Sequence, residues 1–291
     1  MHTKKTFEDY AVDIFAYVFL ILLAFSTLLP FVNVFSKAVS AEWAVMSGKV
    51  GMYPVDFQLD TMSFVVMSKQ FQNSFLISVF VAGVGTLVSV LLTAITAYPL
   101  SKRGLKGTKT VLLLYVFTML FNGGMIPNYL LIKQLNLINN LWALILPGMI
   151  NVFNMLVMKN YYESLPESLE ESAKLDGASN MTVLVKIVMP LSTPVIATIS
   201  LFYAVAFWND FFSPMLYINR PSLKTLQLYL RDVVMEAARP ASEKSVDDLM
   251  NISGESVRAA TVIASTLPIV LVYPFVQKYF IKGIMIGSVK G

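Results

Sequence analysis

Six uncharged apolar runs, spaced along the whole chain, constrain its fold more than any other feature. They lie at Ile14 to Phe35, Phe75 to Leu100, Val111 to Ile126, Leu141 to Met158, Ile187 to Asn209 and Ala259 to Gln277. About 20 mostly apolar residues cover the hydrocarbon core of a bilayer. Backbone groups there must be satisfied within the segment, which makes such runs helices. The expected fold is therefore all-α, a polytopic membrane protein with six transmembrane helices. Composition agrees: 56% of residues are apolar and 14% charged, against roughly 25% charged in soluble domains. The third run is short, and its "FNGGMIP" end is expected to unwind near the surface.

Several chemistries are excluded at once. The chain has no cysteine and one histidine, His2, so it offers no disulfide, thiolate metal site, cysteine nucleophile or histidine cluster. Hydrolytic catalysis and a metal centre are not expected. The net charge of +4 comes from basic residues that flank apolar runs, where they set topology rather than bind nucleic acid.

Those flanking residues orient the chain. The loop from 101 to 110 carries Lys102, Arg103, Lys106 and Lys109 and no acid, whereas Lys133 stands alone between the third and fourth runs. The positive-inside rule then places both termini in the cytoplasm. The first run is too long for a signal h-region and no small-residue cleavage site follows it, so it is read as a retained span. This divides the chain into a cytoplasmic N-terminus (1–13), a six-span domain (14–281) and a cytoplasmic tail (282–291). Within the domain lie a cytoplasmic loop (159–186) and an outer loop (210–258). On the second run Ala82, Thr86, Ser89, Thr93 and Ala97 form a small-residue face suited to close helix packing.

The loop between the fourth and fifth runs is the most informative stretch. Ser164 and Glu167 have capping-box spacing around Pro166, which predicts a helix from Leu165 to Leu175. Leu165, Leu169, Ser172 and Ala173 would share its inner face; Glu167, Glu170, Glu171 and Lys174 would share the outer. Gly177 after Asp176 reads as a left-handed cap, and a second helix is expected from Ser179 or Asn180 to Pro190. Four acids between Glu163 and Glu171 do little for topology. On a rigid helix they suit docking to another protein.

"EESAKLDGASNMTVLVKIVMP" resembles the EAA loop of ABC importer permeases, a Glu-Ala-Ala triplet followed by glycine and, ten residues on, Ile-x-Leu-Pro. Here these are Glu171, Ser172 and Ala173, then Gly177, then Ile187, Met189 and Pro190, with Ser172 and Met189 departing from the pattern. "GGMIPNYLLIKQLNLINNLWALILPG", "AFWNDFFSPMLYI" and "QKYFIKGIMIGSVKG" are similar to the smaller permease subunit of maltose-type carbohydrate importers, especially the complex-oligosaccharide branch. The resemblance implies an assembly in the bacterial cell membrane. A second, larger permease subunit would complete the pathway, two ATP-binding-cassette subunits would bind ATP and Mg, and an extracytoplasmic sugar-binding protein would deliver oligosaccharide. No cofactor is expected in this chain, since "GLKGTKT" has the wrong spacing for a phosphate-binding loop.

On the resemblance, Glu170, Glu171, Ser172, Ala173, Asp176, Gly177, Ile187 and Pro190 couple the chain to the ATPases, and Lys282, Gly283, Gly287 and Lys290 contact them through the tail. Tyr203, Trp208, Asn209, Asp210 and Phe212 are the candidate substrate pathway, because aromatic rings with polar neighbours stack on sugar faces and bind hydroxyls. An interfacial aromatic belt is the bland account of the same residues. The outer loop would reach the binding protein. A permease for a non-sugar solute and an ion-coupled secondary transporter are the rival functions. The latter predicts ionisable residues inside spans and helices broken at the midplane.

Overall fold

The first two apolar runs each form one long helix, and the next three are bent. In the computed structural model, which describes residues 7–102, 104–121, 123–237 and 254–288, α1 (Phe7–Ala38) and α4 (Lys69–Leu100) have 32 residues each. At 1.5 Å per residue each is about 48 Å long, more than a bilayer core requires. The final helix, α15 (Glu255–Ser288), also spans 34 residues. Among the described residues the β content is one isolated bridge between Ser40 and Phe57.

The chain divides into two compact units, residues 1–68 with 232–267, and residues 69–231 with 268–291. In the first, α1 is followed by the short helices α2 (Glu42–Met46) and α3 (Asp60–Met67). The segment between them folds back on the end of α1. Asn33 Nδ2 donates to Gly51 O at 2.7 Å, Ser36 Oγ to Met52 O at 2.8 Å, and Ser40 Oγ accepts the Val55 N–H at 3.0 Å. Lys37 pairs with Glu255 at 2.5 Å. From Ile14 to Val32 every side chain of α1 is exposed, an apolar surface that only lipid or another protein can solvate.

In the second unit α4 is the central helix. Of its predicted small face, Ala82, Ser89, Thr93 and Ala97 are buried, while Thr86 is half-buried and borders an apolar cavity. Around that face α8 (Val152–Glu163) and α12 (Thr193–Asn209) build a core with Val90, Ala94, Met155, Met158, Val188 and Ile199. Gly85 completes the face, because a Cβ there would lie 2.8 Å from the Phe207 ring.

The third run ends as expected. Helix α5 (Thr108–Leu120) stops before the glycine pair, and Gly124 takes φ +93° ahead of α6 (Met125–Gln134). The fourth span bends by 51° between α7 (Trp142–Ile145) with its 3-10 turn Leu146–Gly148 and α8. Pro147 and Gly148 supply the break.

Two boundaries differ from the sequence expectation. The fifth span starts at Thr193 rather than Ile187, after an 84° bend. Pro194 disfavours continued helix at the residue before it and can itself begin a new one. Ile187 and Pro190 therefore remain with the preceding segment, which runs through α10 (Asn180–Val183), a π-turn at Leu184–Val188 and α11 (Met189–Leu191). The capping box also fails to form. Helix α9 (Glu167–Leu175) has Pro166 at its N-cap and no side-chain cap. Ser164 instead terminates α8, its hydroxyl donating to Tyr161 O at 2.7 Å.

Much of the expected outer loop is built structure. Helix α13 (Phe212–Tyr217), a 3-10 turn at Pro221–Leu223 and α14 (Leu226–Ala237) occupy its first half. Gln70 Nε2 donates to Pro221 O at 2.9 Å, Asn73 Nδ2 to Ser222 O at 2.6 Å, and Ser78 Oγ accepts the Leu226 N–H at 2.8 Å. The turn is thereby fastened to the start of α4. The acidic "SEKSVDDL" stretch lies outside the described residues.

Candidate functional site

Two places in the second unit gather the residues singled out by sequence. The first is the α9 turn. Gly177 has φ +81°, as its predicted left-handed role demands. Its N–H reaches Lys174 O at 3.0 Å and the Ala178 N–H reaches Ala173 O at 2.9 Å, the bond pair of a Schellman cap. Ser179 then caps α10, its Oγ accepting the Thr182 N–H at 3.2 Å. Two rigid helical pieces thus meet at a glycine turn.

The faces of α9 differ from the simple amphipathic assignment. Leu165, Ala173 and Ala178 pack against the core. Glu170, expected on the outer face, turns inward instead, its side chain only 12% exposed. Its carboxylate accepts from Lys102 Nζ through both oxygens and from Tyr98 Oη at 3.3 Å. Leu169, expected inside, is exposed, and Leu175 is 89% exposed. The reason is the neighbour: a cation at the end of α4 attracts the acid, while the leucines are left on a protruding surface. Glu171, Ser172 and Asp176 are exposed; Ile187 is half-buried and Pro190 exposed. The acid of the EAA triplet therefore faces outward beside Leu175.

Lys102 and Tyr98 were not anticipated as site residues. Lys102 Nζ lies 4.4 Å from the Tyr98 ring centre, and Tyr98 meets Tyr162 edge-on at 6.4 Å. Its place in a basic loop masks this contact, because the sequence explains the same lysine by topology.

The second place is a cavity of about 840 Å³ among α7, α8, α12 and α13. Tyr203, Asn209 and Asp210 line it, with Asn151, Asn154, Phe202 and Phe207. Tyr203 and Phe207 stack at 6.4 Å between ring centres. The Tyr203 hydroxyl is already engaged: it accepts the Asn151 N–H at 2.9 Å and shares a hydrogen bond with Thr93 Oγ1 at 2.8 Å. Only 3% exposed, Tyr203 belongs to the wall of the cavity rather than presenting a group to it. Asp210 is engaged too, its Oδ1 accepting the N–H groups of Phe212 at 3.0 Å and Ser213 at 3.1 Å and so starting α13.

Trp208 and Phe212 do not line this space. Trp208 meets Phe75 edge-on at 6.1 Å and borders a separate apolar cavity between α4 and α12. Its buried Nε1–H finds no acceptor among the described residues. Phe212 is exposed. Phe207, one helical turn beyond Tyr203, is the aromatic residue that sequence reasoning missed; its i+4 spacing is the signal that points to it. Of the tail residues, Lys282, Gly283 and Gly287 fall on α15, and Lys290 lies outside the described residues.

A set of bent membrane-spanning helices, with a capped helix-turn-helix presenting an acid and a leucine outward, defines a membrane transport subunit. The chain belongs to the family of binding-protein-dependent transport system inner membrane components, whose model matches residues 107–286. It is 42% identical to the polygalacturonan/rhamnogalacturonan transport system permease protein YtcP of Bacillus subtilis (strain 168), over 96% of this chain and 98% of that protein. It is also 42% identical to protein LplC of the same organism, over 100% and 98%. Among solved structures it resembles a chain of a bacterial ABC transporter involved in the import of the acidic polysaccharide alginate, with TM-score 0.87, 32% identity and coverage of 96% and 99%. Bent spans are thus compatible with an ABC permease and do not by themselves indicate a secondary transporter.

Proposed function

We propose that this chain is a permease subunit of an ATP-driven importer for oligosaccharide, with uronate-containing oligosaccharides as the substrate class. The outward display of Glu171 and Leu175 by a helix locked at Gly177 carries the reading. Such a knob suits a cleft on an ATPase subunit, with a basic residue there meeting Glu171. Support for the substrate class comes from relatives named for polygalacturonan/rhamnogalacturonan and for alginate.

The assembly would comprise this chain, a larger second permease subunit, two ATPase subunits and an extracytoplasmic sugar-binding protein, in the bacterial cell membrane with both termini cytoplasmic. ATP and Mg would be held by the ATPases, and this chain would itself catalyse no reaction. In the cavity, the half-buried Phe202 and Phe207 rings are suited to stack on sugar faces and the exposed Asn209 offers groups for hydroxyls, while Tyr203 and Asn154 are buried in its wall. The structured turn at 218–226 is the surface proposed to meet the binding protein, and Lys282, Gly283, Gly287 and Lys290 are proposed to reach the ATPases.

The test is Glu171→Lys on a tagged permease. Breaking a buried charge partner at an interface costs about 2 to 5 kcal/mol, so the ATPases should no longer copurify and oligogalacturonate uptake should stop, with membrane insertion kept. Normal copurification and uptake would show that α9 is a mere connector.

A further inference from the structure

Helix α9 is nine residues long and joined to the spans through turns at both ends, Ser164–Pro166 before it and Asp176–Ser179 after it. Leu165, Ala173 and Ala178 pack it against the core, and a polar contact ties it sideways to the second span. Glu170 on α9 accepts from Lys102 through both carboxylate oxygens and from Tyr98 Oη. The ammonium is fixed from further sides by the Tyr98 ring at 4.4 Å. Tyr98 is itself buried, set edge-on against Tyr162 of α8, and its carbonyl accepts from Ser101 Oγ at 2.7 Å. A carboxylate shielded from water and clamped by a cation holds its geometry better than an exposed pair, which gains little.

We propose that Lys102 and Tyr98 are positioning residues that latch α9 to the end of α4, so that displacement of the docked helix is transmitted to the second span. Glu171 faces the partner and Glu170 faces the span; adjacent acids on one helix divide docking from transmission. This rests on the docking role proposed for α9. The latch leads toward the cavity: along α4 from Tyr98, Thr93 about one and a half turns away contacts Tyr203, and Gly85 about three and a half turns away faces Phe207. A tilt of the α4 end has a packed route to the rings that line the cavity, because close-packed interiors transmit strain.

The test uses the full complex, and a sugar-free readout accompanies it. In this cysteine-free chain, spin labels at Leu91→Cys on α4 and at the exposed Ser168→Cys on α9 report how firmly the helices are held. Lys102→Met, which keeps the stem over Tyr98 and removes the charge, should broaden the distance distribution, and Lys102→Arg should leave it narrow. In proteoliposomes Lys102→Met should keep the ATPases bound through Glu171 yet lower oligogalacturonate moved per ATP by about fivefold. The exchange of Lys102→Glu with Glu170→Lys should restore most of the ratio. An unchanged width, an unchanged ratio, or an exchange no better than Lys102→Glu alone overturns the latch. So does loss of the ATPases from Lys102→Met, which would make Lys102 part of docking. Failure of the docking reading shows separately, as ATPase retention by Glu171→Lys.

Discussion

The Tyr203 hydroxyl accepts the backbone N–H of Asn151 at 2.9 Å, at the point where the fourth span bends into α8. Asn151 is the N-cap of that helix, its Oδ1 accepting the Asn154 N–H at 3.1 Å. Through Thr93 Oγ1 the same hydroxyl reaches α4. One phenol therefore holds three spans in register beside the cavity, and its hydrogen bond fixes a bend that regular helix geometry would not keep.

Tyr203→Phe should consequently lower the thermal stability of the purified permease and reduce uptake. It leaves the Asn151 N–H and the Thr93 hydroxyl unpaired in a buried site, a loss of about 1 to 3 kcal/mol. Trp208→Phe should cost less in the same melting experiment, since among the described residues its Nε1–H has no acceptor to lose and the replacement keeps a ring beside Phe75. Equal melting temperatures for Tyr203→Phe and the parent would remove the pinning role.

At Gly177 the penalty is in the backbone alone. A Cβ there would meet nothing within 4 Å, yet φ is +81°. A side chain in this region costs roughly 1 to 2 kcal/mol, and asparagine tolerates it best. Gly177→Val should release the ATPases and stop uptake, while Gly177→Asn should retain a substantial share of both. Equal behaviour of the two variants would point to lost space or contact instead of conformation.

Topology is testable with single cysteines, because the parent has none. Lys109 and Lys133 are both exposed, and three further basic residues accompany Lys109 in the loop from 101 to 110 whereas Lys133 stands alone. An impermeant thiol reagent should label Lys133→Cys on intact cells and Lys109→Cys only after permeabilisation. Equal labelling of both on intact cells would invert or abolish the proposed orientation.

The helices were legible because burial in lipid leaves a strong mark: long uncharged runs, small residues on the packed face of α4, a glycine at the left-handed cap. Weaker were the places where one local preference competes with another. Ser164 can cap α9 or close α8, and the tertiary path of the chain selected the latter. Pro194, not the apolar run that begins at Ile187, set the start of the fifth span.

Sequence by itself determined the class of the chain, the location of the glycine turn and the acid that follows Glu170, since all three depend on local pattern or on solvent. Which acid faces inward was decided only by tertiary structure. Glu170 and Glu171 are chemically identical neighbours, and the choice depends on Lys102 standing 68 residues away in sequence but in contact in space. The same holds for Tyr203 and Trp208, both aromatic and five residues apart. Helix rotation about α4 puts one at the cavity and the other against Phe75, and that rotation is fixed by the close approach of Phe207 to Gly85, a packing fact no single segment encodes.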